Sequence, residues 1–136
     1  MTGLPEEPRW LTPSIVVAIH EDLLNQHGGF AGARDEGLVL AALARPRHRW
    51  DFGAASDLFA CAAAYGFGLA KNHGFVDGNR RTAFQAMYTF LALNGMELIA
   101  TEPDAVTTML ALAEGALSEE QLGEWLRDNS KRRRRG

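Results

Sequence analysis

The sequence predicts an all-α protein, a compact bundle of about six helices with one central apolar helix. Apolar residues recur at helical spacing, and capping residues, prolines and glycines divide the chain into segments of helical length. With 136 residues, 46% of them apolar, the chain can form one domain around a single core. We therefore expect a single domain over residues 1–130, followed by a basic, disordered tail over residues 131–136.

Capping residues and prolines delimit the first two helices. Thr12-Pro13 is typical of an N-cap followed by the first helical position, and Gly28-Gly29 is typical of a helix end. A second helix begins at Asp35-Glu36. Because proline disfavours a helical conformation in the residue before it, we expect this helix to end before Pro46 and a loop to follow over residues 45–53.

The third and fourth helices flank the segment that carries most of the functional signal. The third begins near Ser56 or Asp57 and runs to Lys71. Because it is apolar on nearly every side, we place it in the middle of the bundle. The fourth runs over Asn79–Leu93 and is closed by Asn94-Gly95.

The remaining part of the chain completes the bundle. Residues 96–99 are predicted to form a short extended segment. Glu102-Pro103-Asp104 opens a fifth helix, with proline in its first turn. Ser118 and Gln121 have the spacing of a capping box, which predicts the start of a sixth helix.

Charge and apolar patterning exclude several classes of function. Five of the 14 basic residues lie within residues 131–136, so residues 1–130 carry nine basic and 17 acidic side chains, which argues against direct nucleic-acid binding. No apolar run reaches the roughly 18 residues of a membrane span, and the acidic, proline-containing N-terminus is unlike a signal peptide. We therefore expect a cytoplasmic protein without membrane contact.

The segment between the third and fourth helices, residues 72–82, predicts a phosphate site. It reads NHGFVDGNRRT and leads into a helix N-terminus, where free N–H groups and the helix dipole favour an anion. Arg80 and Arg81 fall in the first turn and oppose the dipole, at a cost of about 0.3–1 kcal/mol each when exposed. A bound polyphosphate would make the contribution of both arginines favourable.

Other residues of the segment offer the groups that phosphate chemistry requires. Asp77 is a hard oxygen ligand for Mg²⁺ held jointly with substrate phosphates, and Asn79 is an amide donor for a phosphate oxygen. His73 can take a proton from an attacking hydroxyl. Structural roles are the alternative, with Asp77 as a helix cap, Arg80 and Arg81 paired with acidic neighbours, and His73 as an ordinary loop residue.

Four further residues are expected to be structural. Phe75 should anchor the loop in the core, and Cys61, the one cysteine of the chain, should be a small core residue of the third helix. His20 and His27 fall seven residues apart on the first helix, and we expect both on the surface.

Residues 73–83, HGFVDGNRRTA, resemble the signature of the Fic/Doc superfamily, and in particular of the Doc (death-on-curing) toxins of bacterial toxin–antitoxin systems. Residues 34–38, 41–46 and 90–95 are also similar to Doc-type chains. The resemblance covers about residues 10–130 and implies the all-α Fic/Doc fold.

Three positions indicate which branch of the superfamily the chain resembles. AMP-transferring Fic proteins read His-Pro-Phe-x-Asp/Glu-Gly-Asn-Gly-Arg-x-x-Arg, whereas Gly74, Arg80 and Phe84 here replace the proline, the glycine after asparagine and the final arginine. A bulky cation and an apolar ring at the last two positions should prevent the AMP-transfer pose of the nucleotide. Doc-type toxins carry lysine at the position of Arg80, and arginine keeps the charge but changes the donor geometry.

The resemblance implies a toxin that transfers the γ-phosphate of ATP to a hydroxyl, a threonine of translation elongation factor Tu, and thereby arrests translation. The residues that it implies for this reaction all lie in the signature: His73, Asp77 and Arg81 as catalytic, Gly78, Asn79, Arg80 and Arg81 as nucleotide- and phosphate-binding, and Asp77 as the Mg²⁺ ligand. The alternatives are a Fic-type AMP or nucleotidyl transferase acting on a protein hydroxyl, and a non-catalytic binding module of the same fold.

The same resemblance implies a protein partner. Many Fic proteins carry an inhibitory helix with the pattern Ser/Thr-x-x-x-Glu-Gly/Asn, but the two Glu-Gly pairs of this chain have Gly32 and Leu110 at the Ser/Thr position. The resemblance then implies a separate, Phd-like antitoxin, whose disordered C-terminal segment folds into a groove on the toxin.

Overall fold

Six helices and two short strands form the part of the chain that the computed structural model describes, residues 6–53 and 57–133. The helices are α1 (Pro13–His27), α2 (Glu36–Phe52), α3 (Leu58–Asn72), α4 (Asn79–Leu93), α5 (Glu102–Ala113) and α6 (Glu119–Asp128). The strands are β1 (Met96–Leu98) and β2 (Ser130–Arg132). The predicted all-α bundle is therefore confirmed, and β1 is the predicted extended segment. Within the described ranges, no helix combines the length and the apolar character needed to cross a membrane.

Five of the six helices begin at a residue whose side chain accepts a hydrogen bond from the backbone N–H three positions further on. These N-caps are Thr12, Asp35, Asp57, Thr101 and Ser118. Ser118 also forms the predicted capping box with Gln121. The predicted helix starts are confirmed, and Ser56, the other predicted start of α3, lies outside the described residues.

Helix α3 lies at the centre of the bundle, as predicted, and packs against α2, α4 and α6. Small residues let its neighbours approach closely. A Cβ atom added at Gly68 would lie 2.9 Å from Cδ of Arg45 and 3.1 Å from the backbone Cα of Ala42. The packing of α3 against α2 therefore depends on a glycine at this position.

Two titratable side chains of α3 are buried in the core. Cys61 is fully buried, as predicted, and burial raises the pKa of its thiol to about 12 from an ordinary 9.0. The hydroxyl of Tyr65 accepts a hydrogen bond from the N–H of Leu11 at 2.9 Å, and burial raises the pKa of Tyr65 to about 12 from 10.0. Both groups are therefore uncharged in the folded protein near neutral pH.

The predicted end of the second helix is wrong, because α2 continues through Pro46 and includes most of the expected loop over residues 45–53. Pro46 is buried, and its carbonyl accepts a weak hydrogen bond from Sγ of Cys61 at 3.7 Å. Arg45 and Arg49, on either side of the proline, both bind the carboxylate of Glu119, which is buried at the start of α6. These long-range contacts offset the backbone hydrogen bond that proline removes from the helix.

The last described residues form a strand rather than a free end. β2 pairs with β1 in antiparallel register, with Met96 opposite Arg132. Beyond the strand, Arg133 donates from its backbone N–H to the carbonyl of Gly95 at 2.8 Å and from Nη1 to the carbonyl of Ala92 at 3.2 Å. Part of the segment expected to be a disordered tail is thus ordered in this structure, and residues 134–136 lie outside the described range.

Candidate active site

The loop between α3 and α4, residues 73–78, is held against the segment that precedes α2. An isolated antiparallel bridge pairs Ala33 with Phe75. The N–H groups of Arg34 and Asp35 both donate to the carbonyl of Gly74, at 2.8 and 3.0 Å. Backbone hydrogen bonds therefore hold the loop in place independently of its side chains.

His73 begins this loop with its side chain exposed. It is the C-cap of α3 and has a left-handed backbone conformation, φ 52° and ψ 43°, which is uncommon for a residue other than glycine. Its carbonyl accepts a hydrogen bond from Nε of Arg34 at 3.0 Å. Among the described residues nothing hydrogen-bonds to its imidazole, so both ring nitrogens are open to a ligand or a substrate.

The carboxylate of Asp77 is oriented by two backbone N–H groups. Gly78 donates to Oδ1 at 2.9 Å, and Phe30 donates to Oδ2 at 3.3 Å. Gly29 approaches the same carboxylate closely, because a Cβ atom added there would lie 2.8 Å from Oδ2. The alternative role of Asp77 as the cap of α4 is not observed, since the N-cap is Gly78. Each carboxylate oxygen keeps a lone pair for a further ligand.

Asn79 braces the loop with its whole carboxamide. Its Oδ1 accepts from the N–H of Phe75 at 3.1 Å, and its Nδ2 donates to the carbonyl of the same residue at 3.0 Å. Phe75 is itself buried, which confirms its predicted role as the core anchor of the loop. Asn79 was expected to donate to a phosphate, and one N–H of its amide remains for that purpose.

The N-terminus of α4 carries two cationic side chains for which the described part of the chain provides no ion-pair partner. Gly78 is its N-cap, with φ 77° and no side-chain hydrogen bond to the first turn. Arg80 and Arg81 are exposed in that turn, and neither forms an ion pair with any residue of the ranges 6–53 and 57–133. The alternative that these arginines pair with acidic neighbours is therefore not what the structure shows. Dipole, free N–H groups and guanidinium groups coincide at one place.

This helix end opens onto a groove of about 1030 Å³ between α4 and α5. At one end the groove is polar and is lined by all the site residues that the sequence predicts: His73, Asp77, Gly78, Asn79, Arg80 and Arg81. Towards α5 its lining is mostly apolar, with Glu102 at the start of that helix, and Val106 and Leu110 on that side are exposed. The loop thus brings the predicted residues together at one end of a long groove.

His20 belongs to this site, although the sequence predicts it on the surface. Its side chain is only 2% exposed and stacks on Phe75, with ring centroids 3.9 Å apart and an interplanar angle of 12°. Its Nε2 lies 2.8 Å from the carbonyl oxygen of Asp77. The available signal was the spacing, because His20 lies one helical turn after the buried Val16 on α1. His27 is exposed, as predicted.

Packing accounts for the glycine at position 74, where the AMP-transferring pattern has proline. A Cβ atom added at Gly74 would lie 2.6 Å from Cγ2 of Val39 and 3.0 Å from the backbone N of that residue. Proline carries a Cβ atom, so it would collide with α2 at this position. The departure from the pattern is therefore tied to the position of α2.

Comparisons with known proteins find similarity over the region that contains the loop. A family model described as Fic/DOC family matches residues 10–91, a range that contains the whole loop. The protein kinase doc of Escherichia phage P1 is 29% identical over 119 residues, which are 88% of this chain and 94% of the phage protein. The toxin Doc of Mycolicibacterium smegmatis is 47% identical over 74 residues, 54% of this chain and 57% of that protein.

Proposed function

The chain belongs to the Fic/Doc family, in the branch of the Doc toxins, and from this premise we propose that it is a toxin with protein kinase activity. It transfers the γ-phosphate of ATP to a hydroxyl of a protein, a threonine of translation elongation factor Tu, and so arrests translation in the cytoplasm. The phage relative is named as a protein kinase, which supports phosphate transfer.

One observation carries this proposal: the N-terminus of α4 has no side-chain cap and presents Arg80 and Arg81, which pair with no acidic residue of the described ranges, at the groove that His73 and Asp77 also line. Cations at a helix N-terminus are unfavourable unless an anion compensates them. A polyphosphate supplies that anion and is bound by the N–H groups of the first turn, as at other helix N-termini. The same donors stabilise the charge that develops during phosphate transfer.

Phosphate transfer requires a base and a metal ligand, and the loop offers one of each. His73 takes the proton from the target hydroxyl, whose oxygen bonds to the γ-phosphorus as the bond from that phosphorus to the leaving ADP breaks. Asp77 fits a Mg²⁺ ion, because its exposed carboxylate is already oriented and Mg²⁺ needs few protein ligands beside substrate phosphates. The ion, when bound, neutralises phosphate charge.

Arg80 and Phe84 favour transfer of the γ-phosphate over transfer of AMP. Both line the groove, and they replace a glycine and an arginine of the AMP-transferring pattern. Side chains of this size occupy space that the nucleotide phosphates would need in the AMP-transfer pose. We infer that ATP enters with its γ-phosphate toward His73.

The apolar end of the groove suits a silencing partner. Val106 and Leu110 are exposed there, beside the polar end that would hold ATP. An amphipathic segment of a Phd-like antitoxin would cover such a surface by folding onto it. Val106→Asp should weaken binding of the cognate antitoxin, as measured by calorimetry, and unchanged affinity would place the antitoxin elsewhere.

Label transfer tests the proposed activity directly. The purified chain is incubated with a bacterial lysate and Mg²⁺, with ATP labelled in parallel at the γ- or the α-phosphate. We expect a protein of the size of elongation factor Tu to be labelled from γ-ATP only, and His73→Ala to remove both this band and growth arrest while the fold persists.

His48→Ala is the matched control, because His48 is an exposed histidine on α2 outside the groove. It should label and arrest growth as the wild type does. Labelling from α-ATP would show that the protein transfers AMP and is not a kinase. Full growth arrest by His73→Ala would leave only a binding module of this fold.

A further inference from the structure

His20 is the only buried histidine of the chain, and it reaches the active-site loop from a different helix. The chain has four histidines, and the other three are exposed. The His20 ring lies flat on Phe75, and its Nε2 is 2.8 Å from the carbonyl oxygen of Asp77. A carbonyl oxygen can only accept, so Nε2 carries the proton and donates it.

The hydrogen bond acts on a peptide unit that also orients the carboxylate of Asp77. The carbonyl of Asp77 and the N–H of Gly78 belong to the same planar peptide group. That N–H donates to Oδ1 of Asp77 at 2.9 Å. If the peptide plane rotates, the N–H turns with it and the carboxylate loses one of its two backbone donors. His20 therefore holds the carboxylate through one rigid group.

The same peptide sets the start of α4. Gly78 is the N-cap of the helix and has φ 77°, a conformation that glycine adopts without penalty. No side chain caps the first turn of α4. At this helix start, a long-range contact from α1 holds the peptide that precedes the first turn, and the N–H groups of that turn stay free of a capping side chain.

We propose that His20 is a positioning residue for the phosphotransfer site: by donating to the carbonyl of Asp77 it fixes the Asp77–Gly78 peptide, and with it the direction of the Asp77 carboxylate and of the first N–H groups of α4. This inference rests on the proposed function for its effect on catalysis. The fixing of the peptide itself does not depend on that function.

Two substitutions separate the hydrogen bond from the packing. His20→Phe keeps an aromatic ring for Phe75 but has no donor, whereas His20→Gln keeps a donor at a similar distance and loses the ring. Val16→Ala is the matched control, because Val16 is buried one turn earlier on α1 and its truncation leaves the donor in place. Should His20→Phe not fold, His20→Leu replaces it as a smaller variant without a donor.

The first readout is amide exchange followed by NMR, because the N–H groups of Gly78 and Phe30 both donate to the carboxylate of Asp77. We expect exchange at both to accelerate about tenfold in His20→Phe, the equivalent of one lost hydrogen bond. His20→Gln and Val16→Ala should leave exchange at these two amides near that of the wild type.

The second readout is steady-state phosphate transfer. We expect kcat to fall about 10–100-fold in His20→Phe, as for other groups that orient a ligand from outside, with a smaller change in the KM for ATP. His20→Gln should retain most of the wild-type kcat. If His20→Phe and Val16→Ala lose activity and protection alike, in proportion to their thermal stability, then His20 only packs and the proposal is overturned.

A third outcome separates this proposal from the proposed function. If the wild type transfers no phosphate, yet His20→Phe still accelerates exchange at Gly78 and Phe30, the proposed function falls while the fixing of the peptide is supported. Wild-type exchange in His20→Phe would overturn the proposal whatever the activity.

Discussion

Replacement of Gly29 by alanine should disable the active site from outside the loop. Gly29 has φ +125°, and an added Cβ would lie 2.8 Å from Oδ2 of Asp77 and 3.0 Å from Cδ2 of Leu24. Comfortable contacts between heavy atoms lie at about 3.5–4.0 Å, so the carboxylate must move by roughly half an ångström or more. Misplacement of a catalytic group by about 1 Å can reduce the rate about 100-fold.

Gly28→Ala is the internal control for this prediction. Gly28 also has a positive φ, +76°, but an added Cβ would meet nothing within 4 Å. Each alanine is strained by about 1–3 kcal/mol in such a conformation, so both variants should lose stability in urea unfolding, and Gly29→Ala should lose more because its Cβ also meets Asp77 and Leu24. Only Gly29→Ala adds an atom beside Asp77.

The assay is γ-phosphate transfer under conditions in which both variants are folded. We expect Gly29→Ala to lose about 10–100-fold in kcat, on the scale of a displaced catalytic group, and Gly28→Ala to remain close to the wild type. Equal losses in the two variants would show that strain, rather than contact with Asp77, is responsible. Full activity of Gly29→Ala would refute the role of the oriented carboxylate.

Two predictions concern the stability of the core. Gly68→Ala should destabilise the protein by about 1–3 kcal/mol in urea unfolding, because its Cβ meets the backbone of α2. In Gly123→Ala the added Cβ would make only ordinary contacts of 3.7–3.9 Å, so this variant should be neutral or stabilise by up to about 1 kcal/mol through helix propensity. The opposite order of stabilities would contradict the close packing of α2 on α3. Burial raises the pKa of Cys61 to about 12 from 9.0 and that of Tyr65 to about 12 from 10.0. Because the unfolded chain ionises these groups at a lower pH than the folded protein does, the free energy of unfolding should be highest below about pH 9 and fall as the pH rises toward 12. Tyr65→Phe should flatten this alkaline loss between pH 10 and 12 and lower stability at pH 7, where the Leu11 N–H loses its acceptor, and an unchanged pH profile would contradict the burial of the hydroxyl.

Helix starts were predictable because a cap and its helix are neighbours in the sequence. Thr12 and Ser118 cap α1 and α6 as predicted, each through an N–H only three residues away. Pro46 was misjudged for the converse reason. The effect of a proline on its own helix is local, but the contacts that outweigh it involve Glu119, more than 70 residues further along the chain.

The site was predictable as a group of residues but not atom by atom. A loop between two helices brings His73, Asp77 and Arg81 to one place whatever its detailed conformation, so their grouping follows from the order of the helices. Hydrogen bonds inside the loop have no period that a sequence displays, and the use of Asn79 to brace Phe75 was accordingly not foreseen. The burial of His20 follows from a contact with Asp77, 57 residues away.

Because β2 pairs with β1, the structure indicates where a label or a purification tag can be attached without disturbing the fold. Arg133 binds the carbonyls of Ala92 and Gly95, at the far end of α4 from the active-site loop. A helix of 15 residues is about 20 Å long, so a fluorophore joined at Arg133 would be attached roughly that far from the loop between α3 and α4. An insertion at the start of β2 would break the strand pairing, so among these residues Arg133 is the better position for immobilising the protein with the polar end of its groove facing solution.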